Sequence, residues 1–355
     1  MTLGASNRQW DSQTGVTAKV DDKLPCPNKD MVKVDINAIG VCGTDYHAFT
    51  GNQAFFTYPR ILGHELAVTI ADIPEGVPNP RGVKVGDVCA VEPYMHCGSC
   101  ISCSLGKTNC CTQIKVLGVH VDGGMQPSMF LPLAKCHPCT LDKMPGGYPT
   151  VALVETLCIG AHAVSRAKEN GPVTDEWCLI VGAGPVGMAT SQFVNAEGGK
   201  IIMMDINQDR LDFATSVLGI EHTVCVDKSK DTMEQIMAIT GGMPPTCVFE
   251  VTGNIHSMKN TFNLVSHGGR LVFVGHTKEE VSYNNPQFHS HEMTVLGSRN
   301  ARATDFEKTI ELIESGKIDV KPWVTHTCQQ SEFLDNFDAW RDPATGVIKA
   351  VVLRQ

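Results

Sequence analysis

No stretch of this 355-residue chain approaches 18 uninterrupted apolar residues, so nothing in it reads as a membrane-spanning helix. The first ten residues, Met1 to Trp10, contain no apolar signal core, and the expected location is the cytoplasm. There is no long basic run. With 29 Lys+Arg against 38 Asp+Glu the net charge is −9, and no nucleic-acid partner is expected. The acidic excess favours solubility and names no substrate. No internal repeat or low-complexity tract is present. A content of 42% hydrophobic and 19% charged residues is that of an ordinary globular protein, here long enough for two cores.

Cysteine, by contrast, is plentiful, at 15 residues. A small secreted chain would use them as disulfides. In a chain this long with no signal core, metal-bound thiols in a reducing compartment are the better reading. Cys97, Cys100, Cys103 and Cys111 are separated by two, two and seven intervening residues. Four thiolates on one loop can enclose a tetrahedral Zn²⁺ with no open position, which is a structural site. Four free thiols, or two disulfides, are the competing readings. Cys110 beside Cys111 leaves the fourth ligand open by one position. Cys26, Cys89, Cys136, Cys139, Cys158, Cys178, Cys225, Cys247 and Cys328 are scattered and read as small core residues or bystanders. Cys136-His-Pro-Cys139 also has the spacing of a metal or redox pair.

The chain changes texture near Pro145-Gly-Gly147. Before it, short β-like runs (31–36, 66–70, 88–91) separated by Gly and Pro predict a barrel-like β domain. After it, helices and strands alternate: a helix over 152–167, a strand over 177–181, a helix to about 196, a strand over 200–204 and a helix over 208–217. Strands at 247–251 and 270–274 follow. This pattern predicts βαβ units and a parallel, doubly wound sheet. One amphipathic helix is expected near 305–315. The expected domains are 1–150, completed by 291–355, and 151–290.

Gly182-Ala-Gly184-Pro185-Val186-Gly187 follows an apolar strand and opens a helix, the context a dinucleotide fingerprint requires. The first glycine makes the tight turn, the second lets backbone approach a pyrophosphate, and the third lets helix pack on strand. Asp205 ends the next strand. A carboxylate there accepts from ribose hydroxyls and repels a 2′-phosphate, so NAD is expected over NADP. The competing reading is a glycine turn that binds nothing. Upstream, Cys42-Gly-Thr44-Asp-Tyr-His47 and Gly63-His64-Glu65 suggest a second metal site. A catalytic zinc wants three protein ligands and an open position. Cys42 and His64 supply two, with Glu65 and Glu155 as candidates for the rest.

Nearly the whole chain resembles the zinc-containing medium-chain dehydrogenases, in their polyol (sorbitol-dehydrogenase-like) branch. The matching segments are the Cys42–His47 and Gly63–Glu65 boxes, the Cys97–Cys111 lobe, the Glu155 to His162 segment and the Gly182–Gly187 fingerprint. The resemblance implies a GroES-like β-barrel catalytic domain and a Rossmann NAD-binding domain. It implies a catalytic zinc held by Cys42, His64 and Glu155, with Glu65 bound directly or standing behind the ligands. Thr44 would take the alcohol proton and His47 relay it to solvent. Pro185, Val186, Arg210, Thr252, Gly275 and Arg299 join the glycines and Asp205 as candidate cofactor contacts. Alcohol dehydrogenases proper carry Cys where this chain has Glu155, which favours polyol-type substrates. Thr156 departs from the branch, which usually has Pro there.

The Gly51–Arg60, Thr108–Cys111, Gly118–Gly124 and Gly297–Ala301 segments further resemble bacterial hexonate dehydrogenases. The implied activity is zinc-dependent hydride transfer from a secondary alcohol of a polyol or sugar acid, a hexonate such as L-galactonate, to NAD. A guanidinium can pair with a hexonate carboxylate, so Arg299 is a candidate for that contact as well as for a cofactor phosphate. Neutral-polyol, threonine or simple alcohol dehydrogenases are alternatives, as is an idle NAD- and zinc-binding sensor. The family implies a homodimer or homotetramer.

Overall fold

The computed structural model describes residues 2–3, 10–11, 30–51, 56, 58–227 and 229–354. Cys26, most of the Met1–Trp10 segment, and positions 52–55 and 57 of the Gly51–Arg60 segment lie outside the described residues. The chain forms two compact units, 1–155 with 302–355, and 156–301.

In the first unit a seven-stranded sheet runs in the order 136–139, 88–91, 65–72, 31–41, 349–353, 324–329, with 128–132 also paired to 31–41. Its pairs are antiparallel except 324–329 with 349–353. Strand Met31–Val41 begins with the period of two that one buried face demands, Val32, Val34 and Ile36 pointing inward. They meet Leu66, Val68, Leu131 and Val352 in one apolar core. Strand Lys349–Leu353 pairs with Met31–Val41, which is what binds the C-terminal segment into this unit. The expected helix near 305–315 is present as Ala303–Glu314.

The second unit holds six parallel strands: β1 Trp177–Val181, β2 Lys200–Asp205, β3 His222–Cys225, β4 Cys247–Glu250, β5 Arg270–Phe273 and β6 Thr294–Gly297. Their order is β3-β2-β1-β4-β5-β6. The direction of winding reverses between β1 and β4, and a ligand crevice forms at such a switch point. β6 pairs with β5 in register, so this sheet extends past residue 290, where the change of texture had placed the edge. Helix Tyr148–Lys168 likewise runs through the other expected edge at 150/151 and carries Glu155 and Thr156 without a break. A proline at 156 would have removed one of its hydrogen bonds. Among the described residues no helix is long and apolar enough to cross a membrane.

Candidate active site

Cys42 caps the N-terminus of the short helix Gly43–Phe49. His64 and Glu65 lie at the start of strand Glu65–Asp72, whose pairing with Met31–Val41 sets Glu65 opposite Gly40. The result is a cluster in which the ligand atoms of Cys42, His64 and Glu65 all lie within 4.8 Å of one another. Glu155 lies outside this close set, with its carboxylate accepting a hydrogen bond from the Tyr94 hydroxyl. His64 Nδ1 is 4.0 Å from Asp45 Oδ1. That is too long for a hydrogen bond, and both atoms are buried without a hydrogen-bond partner, so Asp45 acts on the imidazole through its charge. Asp45 is itself fixed by the Cys42 backbone N–H, which donates to its Oδ2 at 2.9 Å.

The electrostatics of this pocket favour a cation. Burial would lower the pKa of His64, but Cys42, Asp45 and Glu155 outweigh it and hold the imidazole well above its usual range. Burial raises Asp45 and Glu155 above ordinary carboxylate values. Lys349 is buried against Glu65 Oε1, whereas Glu65 Oε2 is buried with no hydrogen-bond partner. An unpaired buried polar atom costs about 1–3 kcal/mol, which a bound metal would remove. Thiol, imidazole and carboxylate together suit Zn²⁺.

The four-thiol lobe fits zinc on geometry. A tetrahedron with Zn–S bonds of about 2.3 Å has edges of about 3.8 Å. The Sγ–Sγ separations are 3.5 Å for Cys100–Cys103, 3.8 Å for Cys100–Cys111 and 3.5 Å for Cys97–Cys111. These are far longer than a disulfide bond, and none of the described cysteines is in one. Cys111 is buried among the thiols and accepts from the Cys97 and Gln113 backbone N–H groups at 3.3 Å each, whereas Cys110 is exposed. That places Cys111, rather than Cys110, in the fourth position. A backbone N–H from Thr112 draws Cys100 down to about 5, toward the thiolate a metal needs. Cys136 and Cys139 sit on a strand paired with Val88–Val91, and burial pushes both thiols up to about 12. Such thiols are inert, so the metal or redox alternative for that pair has no support in the structure.

In the second unit Gly182 adopts φ 113°, and a Cβ on Gly187 would stand 1.8 Å from the Gly182 carbonyl oxygen. Both positions therefore require glycine. Gly184 caps helix Pro185–Ala196, with Pro185 at its first turn and Val186 following. Space at Gly184 is open; the nearest group to a Cβ there would be Arg210 Nη1 at 3.9 Å. Asp205, at the end of β2, accepts from Ala183 N at 2.6 Å and Asn207 N at 2.8 Å. This locks it to the glycine turn. Thr252 donates to the buried Glu250 carboxylate, and Gly275 packs on Gly253 at the ends of β4 and β5. Arg299 is exposed just beyond β6, while Thr44 is half-buried and His47 exposed on the helix after Cys42.

Three residues had no role assigned in the sequence. Asp45 lies inside the Cys42–His47 box. Lys349 is a lone charge within the apolar run Val347 to Leu353, a pattern that signals a buried partner. Tyr94 had no local signal.

Fold and site together define a two-domain oxidoreductase with one open and one closed metal site and a dinucleotide fold. The comparisons agree. The alcohol dehydrogenase GroES-like domain model matches residues 28–141 and the zinc-binding dehydrogenase model matches residues 185–315. The chain is 38% identical over 305 residues to L-galactonate-5-dehydrogenase of Escherichia coli K12, covering 86% of each. It is 32% identical over 314 residues to sorbitol dehydrogenase of Bacillus subtilis 168, covering 86% of this chain and 85% of the other. A crystal structure of an alcohol dehydrogenase from E. coli CFT073, complexed with NADH, superposes with TM-score 0.83 at 26% identity, covering 93% and 94%. The chain belongs to the zinc-binding, polyol-type medium-chain alcohol dehydrogenases. It is an oxidoreductase acting on a secondary alcohol, with zinc and a nicotinamide dinucleotide as cofactors.

Proposed function

We propose that this protein oxidises a secondary hydroxyl of a sugar acid, a hexonate such as L-galactonate, with NAD as acceptor. The observation that carries the reaction type is the open thiol–imidazole–carboxylate set of Cys42, His64 and Glu65. A bound zinc would supply Lewis acidity beside the hydroxyl, and a nicotinamide dinucleotide would supply the two-electron acceptor. Cys42, His64 and Glu155 would hold the metal, with Glu65, which stands in the close set with Cys42 and His64, bound directly or behind the ligands. Thr44 accepts the hydroxyl proton, and His47, exposed one helical turn further on, passes it to solvent. Asp205 supports NAD over NADP, because a carboxylate fixed at the end of β2 repels a 2′-phosphate.

The similarity to L-galactonate-5-dehydrogenase supports a hexonate, and that to sorbitol dehydrogenase supports a neutral polyol as second reading. The test is NAD⁺ reduction by zinc-loaded protein on a panel pairing each hexonate with its polyol. Higher kcat/KM on the acids is expected; preference for the polyols would overturn the hexonate assignment. Arg299→Ala should then raise KM for the acid far more than for its polyol, and an equal rise would remove Arg299 from carboxylate recognition.

A further inference from the structure

The loop that carries the four thiols is closed at its base by a short ladder, Tyr94–Met95 against Lys115–Val116, and by the Leu117 N–H donating to the Pro93 carbonyl at 3.1 Å. The chain entering this ladder is anchored at Glu92. Its N–H donates to the Lys135 carbonyl at 2.9 Å, and its buried carboxylate meets Lys135 Nζ and, at 3.4 Å, His137 Nε2. Tyr94, only 3% exposed, therefore stands on a braced base. Its hydroxyl donates to Glu155 Oε1. Glu155 is 5% exposed and sits close enough to His64 for their charges to interact.

We propose that Tyr94 is a positioning residue of the open metal site. Its hydroxyl, held by the base of the four-thiol lobe, aims the Glu155 carboxylate and so links the closed metal site to the open one through one hydrogen bond. The proposal rests on Glu155 as a ligand of the open site. A carboxylate on a side chain with three torsions is poorly fixed by itself. A donor on a rigid ladder restricts it to one arrangement. Partners behind the ligands typically contribute 10- to 100-fold in metal affinity.

The experiment is a chelator titration of the two-zinc protein, following zinc retained per chain, for wild type, Tyr94→Phe and Glu155→Gln. Tyr94→Phe keeps the ring and removes only the hydroxyl. The expected result is that one zinc ion is lost at about tenfold lower chelator concentration or less, while the other is retained as in wild type. A role confined to ring packing would not move this readout in the Phe variant. Wild-type retention in Tyr94→Phe, with loss in Glu155→Gln, would overturn the positioning role alone. Wild-type retention in both would instead remove Glu155 from the ligand set, and the proposal with it. Should the Phe variant unfold, Tyr94→His restores a donor, and retention closer to wild type than in Tyr94→Leu is required.

Discussion

Lys349 Nζ and Glu65 Oε1 form a buried ion pair between residues 284 positions apart in the chain. Both side chains are almost wholly enclosed, at 4% and 1% exposure. Removing one partner of such a pair costs about 3–5 kcal/mol, because the other is left charged in a low-dielectric surrounding. Lys349→Met should therefore lower unfolding free energy in denaturant by about 3 kcal/mol. Added zinc should recover part of the loss, since a cation beside Glu65 replaces the missing charge. An unchanged denaturation midpoint would show that the pair adds nothing.

Gly40 faces the same carboxylate. A Cβ there would lie 2.0 Å from Glu65 Oε2. Gly40→Ala should displace Glu65 and reduce both zinc retention and kcat at least tenfold. Its stability should fall by about 1–3 kcal/mol, the range for overpacking. Steady-state kinetics with metal analysis checks this, and wild-type kinetics would contradict it.

Asp205 accepts two backbone N–H groups, and under the proposed function its remaining lone pairs accept from a ribose. Asp205→Ala should raise KM for NAD⁺ about tenfold, as for a lost hydrogen bond to a charged group. It should also raise kcat/KM for NADP⁺ by removing the repulsion. Unchanged discrimination between the two would contradict the role.

His137 is buried and stacked on Phe306 with ring centres 4.9 Å apart. Burial holds its pKa below the ordinary 6.5, outweighing the attraction of Glu92. Below 6.5 the unfolded chain binds a proton that the folded chain refuses, so this contribution falls as pH drops from 6.5 toward the folded value. Glu92, which burial alone would raise, is drawn below 4.5 by His137 and Lys135, and its contribution is lost on acidification below 4.5. Thermal melts at about pH 7 and about pH 5.5 should show a smaller drop for His137→Gln than for wild type. An equal drop would place the pH sensitivity elsewhere.

The parts of this site legible in the sequence are those written locally. Cys97 to Cys111 and Gly182 to Gly187 act through near neighbours, and their spacing is their geometry. The strands 177–181 and 200–204 were visible because buried parallel strands are continuous apolar runs. Glu155 was one of two candidate carboxylates, and only the family resemblance singled it out, since it stands more than a hundred residues from Cys42. Lys349 meets Glu65 through strand pairings, and Tyr94 meets Glu155 on a helix more than fifty residues on, contacts whose partners no local pattern encodes. The C-terminal strands 324–329 and 349–353 went unread for the same reason: each needs the other, and Met31–Val41, to exist. The second unit extends to 301 because β6 adds to a sheet edge, which texture does not reveal.

Under the proposed function Cys42 anchors a catalytic zinc distinct from the zinc of the thiol lobe. Metal content and NAD⁺ reduction should be measured together on wild type and Cys42→Ala. About two zinc ions per chain are predicted for wild type and about one for the variant. The variant should bind NAD⁺ normally and reduce none of it. Substantial turnover in Cys42→Ala, or an unchanged zinc content, would contradict the account.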